Sequence, residues 1–170
     1  MDDDSKKIVQ GLHKAAEAEL AGYHFYLMAA RSTEDEKGKE VFHTLADEEQ
    51  EHFNFLKQQH NSFVATGKPD MNVRLGKPGD LAASSPIFSD RIRSRIQEAH
   101  YEMSALSIGI ELELSSMTFY KNEAASARDQ EVRAFFTQLA DWEAGHYNAL
   151  LRQQEELKQV YWAQGGFSPF

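Results

Sequence analysis

Three features of this sequence predict an all-α, antiparallel four-helix bundle with a long crossover between its second and third helices. Two long proline-free stretches space their apolar residues as helices do, a proline- and glycine-rich segment separates them, and one stretch is a copy of the other. Pro69, Pro78 and Pro86 fall in the separating segment with Gly67, Gly76 and Gly79, so 66–89 reads as an irregular connection. Each stretch breaks near its middle, at Ser32, Thr33, Glu34 and Asp35 and again from Ala125 to Asp129. Helices are therefore expected over about 6–31, 35–63, 90–124 and 129–160. Asp35, Asp90 and Asp129 are the expected N-caps, each carboxylate taking amide hydrogens that the first turn leaves free. The short breaks make antiparallel hairpins over 6–63 and 90–160, and the long connection can span the bundle end to end. A single domain over 1–170 results, with a tail at 161–170 whose aromatic residues are expected to dock, on this chain or on a partner subunit.

The copy is direct. At an offset of 94 residues, 16 of the 41 positions from Ala16 to Leu56 meet an identical residue, without a gap. Glu19, Tyr26, Phe42, Leu45, Glu49, His52 and Leu56 fall on Glu113, Tyr120, Phe136, Leu139, Glu143, His146 and Leu150. Such a repeat predicts two helical hairpins related by an approximate two-fold axis.

The buried stripes then single out six residues. In the second helix Phe42, Leu45, Glu49, His52 and Leu56 follow each other at steps of 3 and 4, the spacing of core positions in a bundle. Glu49 and His52 thus stand where leucine belongs, and Glu143 and His146 repeat this in the fourth helix. Glu19 lies on the stripe of the first helix, and Glu113 on that of the third. Glu19 and Glu49 each lie about 15 residues from the turn between them, hence about 22 Å from it at 1.5 Å per residue. The same arithmetic places Glu113 level with Glu143, so four carboxylates and two imidazoles converge on one layer of the core. No lysine or arginine falls on these stripes. Unpaired buried carboxylates cost several kcal/mol each. Two divalent cations would balance the four charges, and oxygen donors with two imidazole nitrogens suit iron, with manganese admitted at one or both positions.

One glutamate from each of two helices and a Glu-x-x-His from each of the other two is the ligand pattern of ferritin-like carboxylate proteins. From its first helix to its fourth the chain resembles that superfamily, and its rubrerythrin branch most of all. The resemblance implies that Tyr26 and Tyr120, seven residues beyond Glu19 and Glu113, hydrogen-bond ligand glutamates from outside the metal shell. It also implies a di-iron oxidoreductase that reduces peroxide or dioxygen, and a homodimer. Rubrerythrins usually carry a rubredoxin domain with four cysteines. This chain has no cysteine, so electrons are expected from a separate donor protein such as a rubredoxin. A further family glutamate, one turn beyond the third-helix ligand, is replaced here by Ser116. Gln50 occupies the position of the haem-binding methionine of bacterioferritin, so no haem is expected. The alternative function is a ferroxidase of the ferritin type that hands iron to a store. Small residues at Gly22 and Ser116 would leave room for an oxidant to approach.

Other polar residues have plainer readings. Glu17 and Glu111 lie about 200° around the helix from the stripes and are expected in solvent or against another subunit. Asp47 and Asp141 could orient an imidazole or simply face water, Trp142 and Tyr147 pack, and the remaining histidines are surface or satisfied polar residues. A net charge of −9 argues against nucleic acid as a partner. An acidic N-terminus and the lack of a spanning apolar run lead to the expectation of a cytoplasmic protein with no membrane partner.

Overall fold

The structure is a computed structural model, and it describes residues 3–77, 81 and 86–165. Four long helices form two hairpins: α1 (Asp3–Ser32) with α2 (Glu36–Thr66), and α4 (His100–Ser126) with α5 (Gln130–Gln164). Between the hairpins stand the short α3 (Asp90–Ser94) and a 3-10 turn, Ile96–Glu98. No strand occurs among the described residues.

The caps explain where the hairpins turn. Asp35 accepts the Gly38 amide at 2.9 Å and starts α2, and Asp129 accepts the amides of Glu131 and Val132 at 2.8 and 3.1 Å and starts α5. At its other end α2 stops on Gly67, whose φ of 71° only glycine adopts cheaply, its N–H bonding the Phe63 carbonyl. Gly38 is small for a different reason: a Cβ there would stand 2.6 Å from Cε1 of the fully buried Phe88. Gly38→Ala should therefore lower stability by about 1–3 kcal/mol, read as a drop in Tm, because a packed ring cannot retreat freely.

Two expected boundaries differ by more than one helical turn. The third long helix begins at His100, not at residue 90, and Asp90 lies inside a separate short helix whose N-cap position is Ser89. The apolar spacing of Ile92, Ile96, Met103 and Leu106 runs straight through this break, which hides it in the sequence. The tighter 3-10 turn brings Ile96 and Ala99 into the cluster that Ile87 and Phe88 also fill. The fourth helix continues to Gln164, past the expected end at residue 160, since no breaker precedes Gly165 and the Gln164 amide bonds the Arg93 carbonyl at 3.1 Å. The docking expected of the tail concerns 166–170, outside the described residues.

The duplication is visible in packing. Two apolar clusters form the core, and copied residues divide between them. Tyr26, Phe42, Leu45, Leu106 and Leu150 belong to one, while Tyr120, Phe136, Leu139, Leu12 and Leu56 belong to the other. Tyr26 stacks on Phe42 with centroids 6.3 Å apart, and Tyr120 on Phe136 at 6.1 Å. A further copied pair anchors the ends of the crossover. Gln59 bonds both backbone groups of Asp70 at 3.0 and 2.9 Å, and Gln153 accepts the amides of Ile87 and Phe88. Each such buried bond contributes about 1 kcal/mol net and ties a segment with few regular bonds of its own.

Candidate metal centre

The layer that separates the apolar clusters is polar. Glu19 on α1, Glu49 and His52 on α2, Glu113 on α4, and Glu143 and His146 on α5 are all buried, none more than 4% exposed. Their stripe positions turn them inward, and the matched heights bring them together. Ligand atoms of Glu19, Glu49, His52 and Glu143 lie within 4.8 Å of one another, and so do those of Glu49, Glu113, Glu143 and His146. Glu49 and Glu143 belong to both groups, the arrangement that lets one carboxylate serve two cations. His52 Nδ1 is 3.2 Å from Glu19 Oε2 and 3.0 Å from Glu143 Oε1. His146 Nδ1 is 3.4, 3.6 and 3.7 Å from oxygens of Glu113, Glu143 and Glu49. The imidazoles face each other across the layer, nearly parallel, with centroids 6.1 Å apart.

Burial and crowding shift Glu49, His52, Glu113, Glu143 and His146 strongly. Burial and the neighbouring Glu19 push the Glu49 carboxyl well above its ordinary range. Burial raises Glu113 to about 8, with His146 opposing and Glu143 reinforcing the rise. Burial alone would lower His52, but Glu143 and Glu19 outweigh it and hold the ring at about 10. His146 is raised well above its usual value in the same way, against burial, by Glu113 above all. Glu143 goes the other way: burial would raise it, but its hydrogen bond with Glu113 and the charge of His52 hold it low. Without metal this is a proton trap, with carboxylates and imidazoles compensating each other.

The donor set fits two divalent cations. Every ion pair found on these four glutamates, among the described residues, comes from a histidine. Glu143 Oε1 and His146 Nδ1 face the centre of the layer, yet neither has a hydrogen-bond partner with proper alignment. Buried polar atoms left this way are rare unless an ion or water takes them. Six donors with two shared carboxylates match hard-to-borderline metals such as iron or manganese.

The surrounding residues are less symmetric than the ligands. Each tyrosine donates across the bundle to the glutamate of the opposite hairpin: Tyr26 to Glu113 and Tyr120 to Glu19. Burial, then the charge of that same glutamate, pushes each phenol well above its usual value, so both stay protonated donors. Glu48 is a residue that sequence reasoning missed. Its Oε2 accepts from His146 Nε2 at 2.5 Å and from Trp142 Nε1 at 3.1 Å. Trp142, expected only to pack, thus also makes a polar contact at the rim of the site, and its ring meets His52 edge-on at 4.5 Å. Asp47 and Asp141 are exposed, so neither orients an imidazole from within the core. Glu17 and Glu111 are exposed as expected. His13, His24, His43 and His100 are also exposed, and His60 is half-buried. A cavity of about 270 Å³, mostly apolar and bordered by Gly22, Leu112, Ser116 and Phe119, reaches Glu49 and Glu113.

A helical bundle whose core layer holds these two overlapping carboxylate–imidazole groups defines a ferritin-like protein of the two-metal carboxylate class. The sequence model of the rubrerythrin family matches residues 11–154, and the chain belongs to that family. No curated protein and no solved structure matches it. No helix among the described residues is long and apolar enough to cross a membrane.

Proposed function

We propose that this chain is a di-iron oxidoreductase of the rubrerythrin type, reducing peroxide or dioxygen with electrons from a separate donor protein. The observation that carries the reading is the shared pair Glu49 and Glu143, with a mostly apolar cavity leading to one side of it. The six ligands are Glu19, Glu49, His52, Glu113, Glu143 and His146. Bound iron would supply the electrons and the Lewis acidity that the reaction requires. The protein does the rest. Glu49 and Glu143, the carboxylates common to both ligand groups, would each offer donors to either metal. Tyr26 and Tyr120 hold Glu113 and Glu19 in place and offer phenol hydrogens inside the layer. The apolar walls admit a small neutral oxidant and keep bulk water from the site. A rubredoxin-like partner would deliver electrons at the surface of the chain. A homodimer located in the cytoplasm completes the proposal.

Stopped-flow mixing of the iron-loaded, reduced chain with peroxide and with dioxygen tests it. Rapid oxidation by peroxide with sustained turnover through a reduced rubredoxin supports the enzyme. Oxidation followed by iron accumulation in a cage of many subunits, seen by size-exclusion chromatography, replaces it with the ferritin-type ferroxidase. With serine at 116 there is no carboxylate to draw a metal away from histidine, so His52 and His146 are expected to remain ligands in both oxidation states. Ser116→Glu should then change the ratio of the peroxide and oxygen rates by several-fold, and an unchanged ratio removes Ser116 from the account.

A further inference from the structure

The two histidines are copies of each other, yet their outer nitrogens meet different residues. Outside His146 stands Glu48, accepting from Nε2 at 2.5 Å. The offset of 94 puts Trp142 at the position that copies Glu48, so His52 meets an indole where His146 meets a carboxylate. His52 Nε2 is fully buried and has no hydrogen-bond partner among the described residues. The indole contributes to the other side instead, since its N–H also donates to Glu48. A carboxylate receiving Nε2–H selects one tautomer of His146 and fixes the ring, so that Nδ1 presents its lone pair to the layer. His52 instead bonds from Nδ1 to Glu19 Oε2 at 3.2 Å, which favours the opposite tautomer, and its buried Nε2–H would lack an acceptor once Nδ1 bound a metal.

From this asymmetry we infer that Glu48 and Trp142 make the two metal positions unequal: the position of Glu49, Glu113, Glu143 and His146 fills first and binds more tightly. The inference rests on the two-metal reading and adds an order of loading to it. Glu48 is a positioning residue, acting through His146.

Calorimetric titration of the metal-free full chain with Mn(II) tests it without any activity measurement. Two sites that share carboxylates can bind stepwise even when equal, so the histidine variants decide. His52→Ala should keep the tight step and His146→Ala should lose it. Glu48→Gln should weaken the tight step of the His52→Ala chain by about tenfold or more, the usual size for an outer partner of a metal ligand. It should leave the His146→Ala chain unchanged. Glu48→Asp, which keeps the charge but withdraws the oxygen, should weaken the step in the same direction and guards against a glutamine variant that folds poorly. Equal losses from the two histidine variants, or equal effects of Glu48→Gln in both chains, overturn the inference while leaving two metals per chain. A wild-type chain that binds no Mn(II) and no Fe(II) overturns the two-metal reading itself.

Discussion

Glu49→Ala is expected to weaken metal binding at both positions together, each by about tenfold or more, and to lower the Tm of the metal-loaded protein. Glu49 is one of two carboxylates that stand in both ligand groups, so its loss removes a donor from each. It also leaves three buried carboxylates around cations with less charge to bind them, and stability conferred by metal falls with affinity. Glu143→Ala should behave alike, whereas His146→Ala should affect mainly the position it helps to form. Glu17→Ala is the control, because that carboxylate is exposed and pairs only loosely with His13 at 3.6 Å. Metal analysis after dialysis, together with thermal melts, reads all four variants. Equal losses from Glu17→Ala and Glu49→Ala would show that the stripes face the wrong way.

Removing the metals should invert the dependence of stability on pH. In the metal-free protein Glu113 is raised from 4.5 to about 8, and His52 from 6.5 to about 10. Both groups hold protons more tightly when folded, so each contributes stability that is complete below its unfolded pKa and is lost as pH rises through its folded one. Glu143 is shifted down, and its contribution is lost only as pH falls below its ordinary 4.5. The metal-free chain should therefore be most stable near pH 4.5 and melt at progressively lower temperature as pH rises towards 9, most steeply above about 6.5, where the His52 contribution is lost as well. Metal must displace the same protons, so affinity rises over that range. The gap in Tm between loaded and metal-free protein should widen accordingly. Melts in chelator and in excess Mn(II) across pH 6 to 9 check this. A metal-free Tm that stays flat or rises removes the proton trap from the account.

Much of the site was legible in the sequence because burial and helical spacing are periodic. Glutamate and histidine at leucine positions, repeated at one offset, carry their location with them. Asp35 and Asp129 could be read as caps because they precede helical stretches after clear breaks. The start of the third helix was not legible, since Ile92 and Ile96 keep the same spacing on either side of the bend. Glu48 escaped for a related reason. It sits one residue before a ligand, off the stripe of α2, and its copied position is a tryptophan, so neither periodicity nor the repeat marked it. Only the closeness of α2 to α5 shows that this off-stripe carboxylate meets His146. The asymmetry between the two halves is therefore a property of packing, absent from any one-helix pattern.

Anomalous diffraction from crystals of the iron-loaded chain would locate the metals in the core layer. Two iron peaks per chain are expected, one among Glu19, Glu49, His52 and Glu143 and the other among Glu49, Glu113, Glu143 and His146. A single peak outside these residues, or none after loading under reducing conditions, would contradict the two-metal reading.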